Sequence, residues 1–395
     1  MTWVLAAILW FGLLTLRTPG RWAVTGFELA LFTLAGVIIV QRRGTLRIDP
    51  VALLLAASAA WPLLQIAAGT SVDTHRTLES ALQWTTYCTA FSIGLVLTAD
   101  RARRRQFLTA QLIFALLLSI GAVVGLFSVS ALGPFVYRNQ FAAYVESLIG
   151  VAIAAAIRDR RSALAWLLVS AALFASVIAA GSRAGSILCL AELILLPLVA
   201  FTRGWISSRS LARVALLSAA AAAALVAVVG WETIWRRFEE PNPYSLRAEL
   251  TRSTVNMIRD RPLFGFGLGT WSAAYPAYAR FDDGTFVNQA HNDWAQWAAE
   301  GGLPFFVMML AMAGLLVRPA IRSLWGLGLL AVFVHAFVDY PFQQRPALAA
   351  FFFALAGVLR NTACNEPAAT SSPGARSPAA PFPASGPSES SPPVD

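Results

Sequence analysis

Arg183, Arg247 and His291 are the side chains of this sequence best suited to chemistry, each set in a polar stretch of an otherwise apolar chain. A guanidinium grips a pair of anionic oxygens through two parallel hydrogen bonds and needs no metal to do so. An imidazole ordinarily changes charge near neutral pH, so it can accept a proton there. Arg183 lies in Gly181-Ser-Arg-Ala-Gly185, whose glycines permit close approach of a bulky anion; the competing reading is an interfacial charge that sets topology. Arg247 falls in Ser245–Asp260, which reads as a helix with Ser245 as N-cap and Pro262 just beyond its end. At roughly 100° per residue, Leu246, Leu250 and Met257 share one face. Arg247 flanks that face near Thr254 and Ile258, whereas Arg252 and Arg259 point away. Arg247 is therefore the arginine placed to meet the membrane domain, against the alternative of a solvated basic helix.

His291 falls in a second expected helix, starting near Asn288 and stopping at Gly301-Gly302. It would share a face with Ala295 and Ala298, whose small side chains leave room for a ligand. The positive end of the helix dipole favours a neutral imidazole in the first turn. The alternative is a structural histidine capping the helix. Between the two helices, Gly265-Phe-Gly-Leu-Gly269 follows no strand, so it reads as a tight turn and not as a dinucleotide loop. Asp282-Asp283 beside Gly284 reads as another turn. Tyr137-Arg138-Asn139-Gln140 and Asp339-Tyr-Pro-Phe-Gln-Gln-Arg345 complete the polar stretches. Cys88, Cys189 and Cys364 show no paired spacing, and His75, His291 and His335 are scattered, so no protein-built zinc site and no cofactor are expected.

What must position these groups is a membrane scaffold. Hydrophobic residues make up 57% of the chain, charged residues 13%, and mean hydropathy is +0.62, beyond an ordinary soluble domain. Apolar runs near 2–16, 22–40, 50–68, 82–99, 106–127, 139–157, 162–180, 184–201, 211–230, 303–317, 323–338 and 346–359 read as spans. The first, tenth and last are short, so the count is eleven or twelve. The first run lacks a basic flank and a cleavage site, and is read as a retained helix. The expected class is an all-α integral membrane protein of about 12 transmembrane helices, with a large helical outer loop between spans 9 and 10. Its regions are 1–230 (spans 1 to 9), 231–302 (the loop, opening on Trp231, Trp235 and Phe238), 303–360 (spans 10 to 12) and 361–395. The last, rich in Pro, Ser and Ala, is expected to be a disordered cytoplasmic tail.

The chain contains no lysine, so orientation rests on arginine. Alternate connections hold Arg42, Arg43 and Arg47; Arg101, Arg103, Arg104 and Arg105; Arg158, Arg160 and Arg161; Arg203, Arg209 and Arg213; and Arg318 and Arg322. The opposite short connections hold only Arg17, Arg21, Arg76, Arg138, Arg183 and Arg345. The positive-inside rule puts the first set and both termini in the cytoplasm and the long loop outside. The net charge of +9 is thus topological and implies no nucleic-acid partner. Glu28, Glu146 and Glu192 lie inside spans, about two turns below the outer surface. Such charges suggest function, though pairing with arginines or neighbouring helices also explains them.

In order, GSRAG, YRNQFAAY, SLRAEL…MIRDRPLFGFGLGTW, QAHNDWAQWAAEGG and HAFVDYPFQ resemble the O-antigen ligase and polysaccharide polymerase superfamily from roughly Arg138 to Arg345. The earlier spans are similar only in hydropathy. The resemblance implies a bacterial inner-membrane glycosyltransferase with a periplasmic active site. It would pass a glycan from undecaprenyl diphosphate to lipid A–core or to a growing lipid-linked polysaccharide. By resemblance, Arg183 and Arg247 hold the diphosphate and His291 stands beside the acceptor. Arg138, Asn139, Asn292, Asp293 and Asp339 join as substrate-binding positions. The family's paired asparagines at the start of the sixth span read Arg138-Asn139 here. The implied reaction is a single, inverting, metal-independent displacement. Two other readings are a lipid-linked oligosaccharide flippase or polysaccharide transporter, and a non-catalytic scaffold. The first has no use for a two-helix loop, and the second leaves the placement of His291 and Arg247 unexplained.

Overall fold

The computed structural model describes residues 1–42, 48–124, 133–239, 245–280, 284, 286–343 and 345–365. The segments holding Arg43, Arg47, Asp282, Asp283, Thr285 and the Pro/Ser/Ala-rich tail from 366 lie outside them. The chain divides into Met1–Cys364 and Asn365–Asp395, and the helices belong to the first unit up to the final residue of the last one.

Among the described residues the secondary structure is helical. The first nine helices are α1 (Thr2–Leu14), α2 (Arg21–Arg42), α3 (Pro50–Ala67), α4 (Thr74–Leu97), α5 (Arg101–Val123), α6 (Arg138–Arg158), α7 (Ala163–Ala180), α8 (Arg183–Thr202) and α9 (Ser208–Val229). The long connection after α9 carries α10 (Glu232–Glu239), α11 (Ser245–Asp260) and the short α12 (Trp271–Ala274). Last come α13 (Asp293–Ser323), α14 (Leu327–His335) and α15 (Pro346–Asn365), which continues past the tail boundary expected at 361.

Helix starts follow capping chemistry. Asp49, Asp73, Asp100, Ser182, Ser207 and Asn292 each accept a hydrogen bond from a first-turn amide of α3, α4, α5, α8, α9 and α13, a contact typically worth about 1 kcal/mol. α7 ends on Gly181 in the left-handed region, at φ 69°.

Each expected span overlaps a helix, though α4 and α13 run well beyond the expected bounds. Eight of the described helices (α2, α3, α5 to α9 and α13) are long and apolar enough to cross a membrane, which makes this a multi-pass membrane protein. α1 and the last helix are shorter apolar helices. α14 has nine residues, well under the roughly 20 a crossing helix needs. α6 is the most enclosed of the candidate spans and packs on α7, α8 and α14.

Contacts sort the helix ends into two sets. At one end, Arg158 reaches the Ser323 carbonyl and Arg203 that of Ile321, while Arg360 pairs with the cap Asp49. At the other end, the connection between α9 and α13 docks on the C-terminal part of α3. Gln65 there donates to the carbonyls of Phe264 and Glu300 at 2.5 and 2.8 Å and accepts from the Leu268 amide at 3.0 Å. Trp61 donates to the Gly301 carbonyl and stacks on Phe264. The connection has a core of its own, in which Leu250 and Met257 of α11 pack with Phe266, Trp271 and Ala299.

The expected stop at Gly301-Gly302 is a break inside α13. Gly302 takes φ 74° and ψ 176°, and a Cβ there would run into the Leu263 carbonyl. Gly302→Ala is therefore expected to destabilise the fold by at least ~1–3 kcal/mol, read as a lower melting midpoint of the purified protein. An unchanged midpoint would show that the break does not need glycine.

Candidate functional site

Asp339, just after α14, is the centre of a polar cluster, with its side chain 4% exposed. Its Oδ2 accepts from Arg247 Nη2 at 3.0 Å and from Asn139 Nδ2. Its Oδ1 accepts from the Tyr340 amide at 2.9 Å, and His291 Nδ1 lies 3.8 Å away. Arg247 also donates from Nη1 to the Val338 carbonyl at 2.6 Å. Asn139, on the first turn of α6, accepts from Ser182 Oγ at 2.8 Å. Ser182 is the cap of α8, whose first residue is Arg183. One carboxylate thus ties together α6, α11, the end of α14 and, through Asn139, the α7–α8 turn.

The electrostatics follow from that geometry. Burial, the largest influence on Asp339, works to raise its pKa. The His291 ring and then the charges of Arg247 and His335 outweigh burial and hold the carboxyl below the ordinary carboxylate range. A carboxylate depressed on folding stabilises the native state fully above its unfolded pKa, and that contribution fades as pH falls through the folded value. At neutral pH Asp339 is a fixed anion beneath the arginine.

Arg247 lies where helical periodicity puts it. Its side chain is 26% exposed, held on one side by Asp339 and open on the other. Arg252, 64% exposed and paired with Glu249, and Arg259, beside Asn256, lie on the outer surface of α11 as expected. Leu250 and Met257 are buried, but Leu246 of the same expected face is exposed. The helix begins at Ser245, so its cap falls outside the described residues.

His291 departs from expectation. It lies outside the second helix, which starts at Asp293 with Asn292 as the cap; Asn292 Oδ1 accepts from the Ala295 amide at 2.9 Å. His291 takes φ 54°, one of two non-glycine residues at positive φ among those described. It therefore shares no helix face with Ala295 and Ala298, is not the helix cap, and does not face the helix dipole as a first-turn residue would. Instead its ring meets Tyr340 edge to face at 4.7 Å. Its buried Nδ1 has no hydrogen-bond partner among the described residues. A strained backbone holding a half-buried imidazole against a carboxylate is the kind of outlier found at functional sites.

The neighbouring positions hold the frame. Asn292 caps the helix, and Asp293, fully buried, accepts from the Phe342 amide at 2.9 Å. The Asp293 amide donates to the Ala336 and Asp339 carbonyls at 2.9 and 3.2 Å. Of these two residues expected at the substrate, Asn292 fixes the start of α13 and Asp293 ties that start to the segment after α14. Arg138 and Arg183 are the half-buried first residues of α6 and α8, next to Asn139 and Ser182.

The glycine segment is a turn, as expected, and its amides are consumed internally. Phe266 and Gly267 donate to the carbonyls of Ala299 and Glu300, and Gly269 and Trp271 to the Glu300 carboxylate at 3.0 and 2.9 Å. A Cβ at Gly265 would strike the Glu300 backbone. The turn thus has no free row of amides for a phosphate. Its role is to lock the connection onto α13.

Of the carboxylates expected inside spans, Glu146 meets His335 Nδ1 at 2.8 Å, with both side chains fully buried, so its partner is a histidine and not an arginine. Glu28 is buried beside Arg21 and Glu79. The Glu192 oxygens are buried without a side-chain donor among the described residues. Gln65 and Glu300, the clamps of the connection, went unrecognised in the sequence. A glutamine in an apolar run is a usable signal for such a clamp; Glu300 offers no local one.

Residues 167–310, just over a third of the chain, match the protein-family model described as O-Antigen ligase. The matched stretch includes Arg183, Arg247 and His291, while Asn139 and Asp339 fall outside it. No curated protein matches the chain. The match supports the O-antigen ligase superfamily and, with the apolar helices, a membrane glycosyltransferase-like function.

Proposed function

We propose that the chain is an inner-membrane glycosyltransferase that moves a glycan from undecaprenyl diphosphate to lipid A–core or to a growing lipid-linked glycan at the periplasmic face. The observation that carries the reading is the convergence of Arg247, Asn139 and His291 on the buried Asp339 carboxylate. Diphosphate is a good leaving group, so the reaction needs no strong general acid. It needs charge stabilisation as the anomeric C–O bond breaks. The N–H groups of Arg247 not spent on Asp339 and Val338 supply this, with Arg183 on the neighbouring helix start.

On the other side, His291 accepts the proton of the acceptor hydroxyl as its oxygen attacks the anomeric carbon. The bond to the acceptor forms as the bond to diphosphate breaks, and the electron pair leaves with the lipid diphosphate. One displacement inverts the anomeric centre. Asp339 orients the imidazole and steadies its positive charge, as the carboxylate of a catalytic triad does. The separation of 3.8 Å is long for a hydrogen bond, but such contacts tighten when substrate binds.

Since two arginines stabilise the leaving group, metal is dispensable. Purified protein given a lipid-linked glycan donor and a glycan acceptor is expected to retain transfer in excess EDTA. Loss of transfer that Mg²⁺ or Mn²⁺ restores would reassign the leaving-group charge to a cation. Ligase and polymerase differ only in acceptor. A deletion strain that accumulates lipid-linked long chains identifies the former, and lipid-linked single repeats the latter.

A further inference from the structure

A recess of about 320 Å³ opens between α4 and the connection leading into α13, and none of its lining residues belongs to the Arg247–Asp339 cluster. That volume is at the small end of ligand pockets, ~300–1,000 Å³. Its charged groups are already engaged. Glu79 pairs with Arg21 and His75. Arg76 is held by Ser272 and Asp73. Both Glu300 oxygens accept backbone amides of the glycine turn. An anion such as a diphosphate would meet two carboxylates here, and a lipid tail would meet a wall of amides.

What remains open is neutral hydrogen-bonding capacity beside buried aromatic rings. Trp84, Tyr87 and Trp297 line the recess and are 6%, 3% and 2% exposed. None of their N–H or O–H groups has a hydrogen-bond partner among the described residues. The amides of Gln83 and Asn288, on opposite walls, are likewise without partners there. An amide offers both donors and acceptors, and a buried indole or phenol pairs its polar tip when it can. The ligand that answers this set is a small, neutral, polyhydroxylated ring.

We propose that this recess is a binding subsite for one neutral sugar ring of the transferred or receiving glycan. The inference rests on the glycosyltransferase reading for which substrate brings the ring, but not for the binding itself. Full-length protein in detergent, given glucose, galactose, rhamnose and N-acetylglucosamine in turn, is expected to show saturation-transfer NMR signal for at least one. Gln83→Leu and Tyr87→Phe, both mild for folding, are expected to weaken that sugar on the order of tenfold each, whereas Arg252→Ala leaves it unchanged. No signal from any of the four, or undiminished signal in both variants, overturns the subsite. In a transfer assay the same variants raise KM for the lipid-linked donor if it brings the ring, and for the acceptor glycan if that does. Failure of the enzymatic reading registers differently, as sugar binding in a wild-type protein that transfers nothing.

Discussion

His291→Ala is expected to lower turnover by about 10²–10⁴ while binding of the lipid-linked donor survives, the cost of removing a general base. The expectation depends on geometry as well as residue type. The imidazole is 22% exposed, with Nδ1 turned to Asp339, which leaves Nε2 to take the proton. Because residue 291 sits at φ 54°, alanine also adds backbone strain of order 1 kcal/mol or more. His291→Asn separates the two effects, since asparagine tolerates the left-handed region but takes no proton at neutral pH. Both variants should fold, bind donor and fail at transfer. Wild-type turnover in a folded His291→Asn protein would show that the ring only shapes the backbone.

Much of the scaffold was legible because the forces that build it are local. Apolar run length, Pro and Gly punctuation and capping residues bracket α6 and α11 to within a residue, whereas α4 and α13 begin eight and ten residues before the apolar runs that marked them. The side of α11 that carries Arg247 followed from periodicity alone. The register of His291 did not, because Ala290 extends the helical spacing of Trp294 and Trp297 past the real start at Asp293. Asn292-Asp293 was the available signal, a strong N-cap followed by a first-turn acid.

The hub role of Asp339 was hidden for a different reason. Resemblance put Asp339 near the substrate, but its bond to Asn139 joins residues 200 apart and that to Arg247 residues 92 apart. Neither spacing has a sequence signature. The same holds for Gln65 and Glu300, whose partners come from a turn folded over from elsewhere in the chain. Charged groups in such a protein are placed by tertiary pairing, so their individual roles emerge only with the fold.

Arg247→Ala is expected to cost about 10²–10³ in rate, the usual loss when an electrostatic donor aimed at developing charge is removed. Asp339 makes the loss larger than one contact suggests. With Arg247 gone, its carboxylate keeps Asn139 and the Tyr340 amide but loses its nearest cation. The site then presents net negative charge to a departing diphosphate. Arg247→Lys should rescue poorly. A lysine ammonium can neutralise Asp339, but it cannot hold both that carboxylate and the Val338 carbonyl while presenting a planar fork to the phosphates. Arg252→Ala and Arg259→Ala, on the outer surface of α11, change net charge equally and touch neither Asp339 nor His291, so they should alter rate only slightly. The measurement is donor affinity and turnover for the four variants, after each is shown to insert and fold. Arg247→Ala should weaken both, because the guanidinium meets the diphosphate before and during bond breaking. Normal turnover in folded Arg247→Ala, or an equal loss in Arg252→Ala, would remove the leaving-group role from this arginine and leave it as a strut for Asp339.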